Sequence, residues 1–178
     1  MGSIALSKLA CVLALFPLVS ACATEITAQD LAVNERVHTG APFGSVAITA
    51  EGIHEHRYYP LPNERLHEAL TRSVEQAGLF TNAADPNAAD YSLEVKIIDL
   101  PDPSGGMTMT VQALIGWTLR HGKDTAPLLE SVVESKATKT FADATLGPTR
   151  GTMAIVGAVQ ANIREGLARM ARVLEPHP

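Results

Sequence analysis

Only two cysteines occur in the 178 residues, Cys11 and Cys22, so no disulfide framework carries this fold. Aromatic residues make up 4% of the chain, with one tryptophan, which leaves the core to aliphatic side chains. Basic residues are in the minority: 14 Lys and Arg stand against 19 Asp and Glu, a formal net charge of −5. That balance lacks the basic patch nucleic-acid recognition requires and gives no attraction to anionic lipid. No apolar run reaches the roughly 20 residues that a membrane-spanning helix needs. Gly-x-Ser-x-Gly, Ser-x-x-Lys, His-Glu-x-x-His, Gly-x-Gly-x-x-Gly and phosphate-cradling loops are all missing, so neither a catalytic signature nor a cofactor is implied.

What is there begins with the first residues. Lys8 is the single charge before Glu25, residues 9–19 are almost wholly apolar, and Ser20 and Ala21 are small. A basic start, a short apolar run and small residues predict a secretory signal peptide over residues 1–21. Pro17 would interrupt any longer helix. Val19-Ser20-Ala21-Cys22 resembles the lipobox of bacterial lipoproteins. The resemblance implies a diacylglycerol on the Cys22 thiol, cleavage just before it and acylation of the new N-terminus. An ordinary signal peptide cut after Ala21 is the alternative. One acyl chain holds a membrane marginally, at about 0.8 kcal/mol per buried CH₂, whereas two or three anchor stably. Ala23 stands where enteric-type sorting would use Asp to retain a protein in the inner membrane. Its presence resembles the outer-membrane default, so the expected location is lipid-anchored on the periplasmic side of the outer membrane. Removal of Lys8 leaves 13 basic residues against 19 acidic ones, a formal −6. With Cys11 gone and Cys22 modified, no thiol remains for cysteine catalysis.

Residues 22–43 read as a lipid-anchored tether, their apolar positions showing no sustained period, and residues 44–176 as one domain. Val46, Ile48 and Ala50 alternate as in a strand. Asn63 is placed to cap a helix whose apolar stripe is Leu66, Ala69, Leu70, Ser73, Val74 and Ala77, with Gly78 ending it. Three more alternating segments follow: 91–97, 107–120 and 129–141. They are consecutive and joined by short turns, which predicts an antiparallel meander. A last helix is expected over 152–174. The order β-α-β-β-β-α predicts an α+β fold: a mainly antiparallel sheet with two helices packed on one face.

That order resembles small Gram-negative envelope lipoproteins and periplasmic modules, among them the lipopolysaccharide-assembly lipoprotein, the auxiliary lipoproteins of lipid-transport ABC systems and the N-terminal domain of the Tol-system propeller protein. A set of uncharacterised lipoproteins is nearer. They share an Asn before the first helix, here Asn63, an Ala-Gly-Leu after it, here Ala77-Gly78-Leu79, and Phe-x-Asp-Ala-x-Leu-Gly before the last, here Phe141-Ala142-Asp143-Ala144-Thr145-Leu146-Gly147. The resemblance implies a non-enzymatic, lipid-anchored domain that binds a protein or lipidic partner in envelope assembly, transport or maintenance.

Against it stands a metal-binding or metal-dependent hydrolase reading. In an extended His54-Glu55-His56, both imidazoles project to one face. His67 on the following helix would be a third ligand, with Glu51 or Glu64 as carboxylate, in the manner of a zinc site. Asp143 is either catalytic or a cap on loop or helix N–H groups. Tyr58, Tyr59 and Trp117 either grip a ligand or cover the helix-to-sheet junction. The last helix carries Val156, Val159 and Ile163 toward the sheet and the uncharged Ala154, Gly157, Ala158 and Ala161 on its other side. A helix apolar nearly all round is usually covered on both sides. The cover is a partner or the chain's own residues 26–37, and bare alanine is the third possibility.

Overall fold

A computed structural model describes residues 25–53, 59–104, 106–122 and 124–175. The lipobox with Cys22, and Tyr58, His54 and His56, lie outside the described residues. The fold is α+β, one mixed five-stranded open sheet with helices against one face. Its elements are α1 (Ala28–Leu31), β1 (Ser45–Glu51), α2 (Asn63–Ala77), β2 (Thr81–Asn82), a 3-10 turn (Pro86–Ala88), β3 (Tyr91–Asp99), β4 (Met109–His121), β5 (Leu129–Lys139) and α3 (Gly147–Leu174).

The strand order is β2-β1-β3-β4-β5. β3, β4 and β5 form the expected antiparallel meander, with Tyr91 opposite His121 and Met109 opposite Lys139. β1 departs from it. It runs parallel to β3, Val46 opposite Tyr91 and Glu51 opposite Lys96, so β1, α2 and β3 make a crossover unit. β2 adds two residues, parallel to β1. One face carries the core: Leu93, Val95, Val111, Ala113, Ile115, Trp117, Leu119 and Val133 are buried. The other is solvated and laced by cross-strand pairs, with Lys96 Nζ on Glu51 at 2.7 Å and Thr110 Oγ1 on Thr138 Oγ1 at 2.9 Å.

The helices start and stop for local reasons. Gly78 ends α2 at φ 75°, a left-handed position that suits glycine. Asn63 does not cap α2. Its Oδ1 accepts from Gly52 N–H at 2.8 Å, while Pro62 occupies the cap position without a side-chain bond. α3 begins five residues earlier than the sequence suggested, because Pro148 sits in its first turn, where a missing N–H costs no intrahelical bond.

Residues 26–33, read as part of a tether, belong to the core. Ile26, Leu31 and Val33 are all at or below 3% exposure. Thr27 and Asp30 close a capping box on α1. Val33 N–H donates to the buried Ser73 Oγ at 2.9 Å, and the N–H groups of Val37 and His38 donate to Ala77 O. An apolar pattern without a period served here as a packed strap across the helices.

The small-residue face of α3 also needs correction. Ala154 and Ala158 are wholly buried, and the cover is the chain's own sheet. Ser135 Oγ of β5 donates to Ala158 O at 2.8 Å, and a Cβ on Gly157 would stand 3.0 Å from that of Ala137. Small side chains let the α3 backbone settle onto β5, which leaves no room for a partner at Ala154 and Ala158. Ala161 and Gly157 are half-buried. The N-terminal strap covers a neighbouring side instead: Gln160 Nε2 donates to Asp30 O at 2.8 Å and Arg164 Nε to Glu35 at 2.9 Å.

Candidate functional site

Two places on the described surface bear on recognition. The first is the edge of β1. β2 stops after pairing Ser45 and Val46. Gly44 O and Val46 O accept from Thr81 N–H and Ala83 N–H, so backbone groups of every second residue point to that edge. The alternation turns the N–H and C=O of Ile48 and Ala50 the same way, and no strand faces them among the described residues. The edge closes at Gly52, whose N–H is held by Asn63. Beside these open rungs lies a shallow, mainly apolar cleft of about 370 Å³ lined by Ile48, Thr49, Ala50, Asn63, Glu64 and His67. A second cleft of about 240 Å³ continues past His67 and Ile48 toward Thr71, Asn82 and Pro86.

His67, the third ligand of the metal reading, therefore stands exposed on α2 between two clefts. Among the described residues, no group of three His, Cys, Asp or Glu side chains could hold a metal ion. An apolar floor with free backbone donors and acceptors suits the binding of an extended chain.

The second place is the end of the sheet where β4 begins and β5 finishes. Its organiser is Arg150, which the sequence reading missed. Arg150 is 5% exposed. Its Nη1 donates to Ala144 O and Thr145 O, both at 2.8 Å, and its Nη2 to Gly106 O at 3.0 Å. Its guanidinium also lies 4.7 Å from the centre of the Phe141 ring. One buried cation thus fastens two loops that would otherwise be independent. Residues 141–147 form the cage around it. The signal available in the sequence was an arginine in phase with the buried stripe of α3, four residues before Ala154 and one before Gly151.

Asp143 holds this cage from outside. Its carboxylate accepts from Thr140 N–H at 2.7 Å and from Thr140 Oγ1 at 3.0 Å. These bonds, the backbone one first, hold its carboxyl below its ordinary value. Asp143 caps the loop, not the start of α3. Tyr59 OH donates to Pro148 O at 3.2 Å, and burial pushes its pKa up, with smaller effects of Thr152 and Asp102. Trp117 is a core residue at the helix-to-sheet junction, its Nε1–H on Asn162 Oδ1 at 3.0 Å.

No family model matches the chain, and no curated protein matches it. Solved structures share its fold. Protein XCC0632 from Xanthomonas campestris, of the DUF330 family model, superposes with a TM-score of 0.57 at 10% identity, over 79% of this chain and 92% of its own. CT253 from Chlamydia trachomatis gives a TM-score of 0.51 at 10% identity, over 77% and 98%. A minor lipoprotein from Acinetobacter baumannii reaches 0.43 at 8% identity, over 74% and 96%, a likeness too distant to carry an argument. At these identities the first two similarities establish a shared α+β architecture.

Proposed function

We propose that this chain is a lipid-anchored envelope lipoprotein whose domain works by binding and not by catalysis. Cys22 carries the lipid, and the domain stands on the periplasmic side of the outer membrane. It receives an extended segment of an envelope protein along β1, in the service of envelope assembly, transport or maintenance. The observation that carries the binding role is the pair of open rungs at Ile48 and Ala50 beside the apolar cleft. A strand added there gains main-chain hydrogen bonds, and its alternate side chains enter the clefts on either side of His67. The anchoring half of the proposal rests on the lipobox.

Two experiments test these halves separately. The intact mass of the mature wild-type protein is expected to show an acylated Cys22, and Cys22→Ser to release the protein or trap its precursor. An unmodified Cys22 would defeat the anchor. A photo-crosslinking amino acid at position 67, in intact envelopes, is expected to capture one discrete partner. The same group at Lys136, on the solvated face of β5, serves as the control. Equal capture from both positions would defeat the β1 edge.

A further inference from the structure

We infer that the Arg150-fastened end of the domain rests on the phospholipid bilayer that holds the anchor, with Met107, Phe141 and Leu146 in the interface. The inference rests on the lipid-anchored reading of Cys22.

The topology brings anchor and loops to the same end. Glu25 pairs with Arg65 in the first turn of α2, and from Ile26 onward the strap is packed on the domain through Ile26, Ala28, Leu31, Ala32 and Val33. Glu25 stands three positions after Cys22, and three residue steps reach at most about 11 Å. The lipid therefore emerges close to the start of α2. α2 starts where β1 finishes, since Gly52 N–H is bonded to Asn63. β1 is parallel to β3, and β3 antiparallel to β4, so β1 finishes at the end where β4 begins and β5 stops.

That end projects. β3 stops at Asp99 opposite Leu114, while β4 and β5 stay paired from Ala113 out to Met109. Those five extra residues add about 17 Å in the direction of the anchor. On the loops beyond them stand Met107 at 77% exposure, Leu146 at 67% and Phe141 at 52%, which include the two most exposed large apolar side chains of the described residues. Arg150 is taken up by three carbonyls, and Asp143 faces Lys139 at 3.7 Å. Apolar side chains on a projecting rim, with a leash too short to lift that rim far from the membrane, match an interfacial contact. The contact is apolar and needs no electrostatic attraction to the headgroups.

The absence of any other cysteine after Cys22 supplies the test. Met107→Cys, Phe141→Cys and Leu146→Cys, with Leu128→Cys at the opposite end as control, are labelled with an environment-sensitive fluorophore in the acylated full-length mature protein. They are reconstituted into vesicles of phosphatidylethanolamine and phosphatidylglycerol. At 107, 141 and 146 the emission is expected to shift to the blue and to be quenched by nitroxides on the acyl chains near the headgroups, while 128 stays unchanged. Acylated protein whose three probes remain as wet as position 128 overturns the contact and leaves the anchor standing. Probes protected in detergent micelles in proportion to protein concentration overturn it in favour of a second copy. An unmodified Cys22 in the intact mass is the separate failure of the anchor itself.

Discussion

The indole Nε1–H of Trp117 donates to Asn162 Oδ1 at 3.0 Å in the middle of an otherwise apolar interface between β4 and α3. Asn162 is wholly buried. It spends its amide hydrogens on Val133 O at 2.7 Å and Ser135 Oγ at 3.1 Å. One side chain thereby ties α3 to the adjacent strands β4 and β5 and fixes the helix's position along them. Asn162→Ala leaves the indole N–H and a strand carbonyl unpaired and is expected to cost about 2–4 kcal/mol. Urea unfolding followed by tryptophan fluorescence measures it; a loss under about 0.5 kcal/mol would mean water replaces the amide.

Gly166 lies one turn further on, against the same ring. A Cβ there would come within 2.5 Å of two indole carbons. Gly→Ala in a helix interior ordinarily gains up to about 1 kcal/mol, yet here overpacking is expected to win and destabilise by about 1–3 kcal/mol. The sign of the change, read by thermal unfolding, decides between the two effects.

Ala158→Arg places a charge where α3 settles on β5 and is expected to prevent stable folding of the isolated domain. Removing residues 23–37 in addition should not rescue it, because the sheet and not the strap covers this position. Circular dichroism of both proteins checks the pair. Recovery on deletion would return the strap to that face.

Ser73 joins the strap to α2, accepting from Val33 N–H and donating to Ala69 O at 2.6 Å. Ser73→Ala leaves a buried N–H unpaired and is expected to cost about 1–3 kcal/mol. Hydrogen exchange should show the loss first at Val33.

Asp90 links the starts of the two parallel strands β1 and β3. Its Oδ2 accepts from Ser45 N–H at 2.8 Å and from Ser45 Oγ at 2.7 Å, and these bonds hold its carboxyl below the ordinary 3.8. A carboxyl depressed in the folded state contributes stability above its unfolded pKa and loses it as pH falls through the folded value. Asp143 follows the same rule through Thr140. Asp90→Asn and Asp143→Asn should each lower stability at neutral pH and flatten its fall below about pH 4. Parallel acid titrations of the mutants and wild type would sink this if their slopes agree.

The strands of the meander were legible because one face of each meets the core and the other water, which writes a period of two into Leu93-Glu94-Val95-Lys96-Ile97. The same period in Val46, Ile48 and Ala50 is silent about direction, so the parallel partner of β1 could not be read. Thr81–Asn82 and Ala28–Leu31 are too short to show a period at all. Arg150 and Asn162 escaped for a different reason. A polar residue in a buried stripe is read as an interruption until its partners are known, and those partners are backbone carbonyls on distant segments or a tryptophan 45 positions away. The motif over 141–147 was recognisable, but its meaning as a cage around Arg150 needed the third dimension.

The strap runs beside α2 from Arg65, at its first turn, to Ala77, at its last. A pull on the chain ahead of Glu25, directed beyond the start of α2, therefore acts along the strap. Its contacts at Ile26, Leu31 and Val33 are loaded in shear, all together, and must fail as a group. A sideways pull would instead peel them one after another. Tension applied at that end thus meets the strap in its stronger direction.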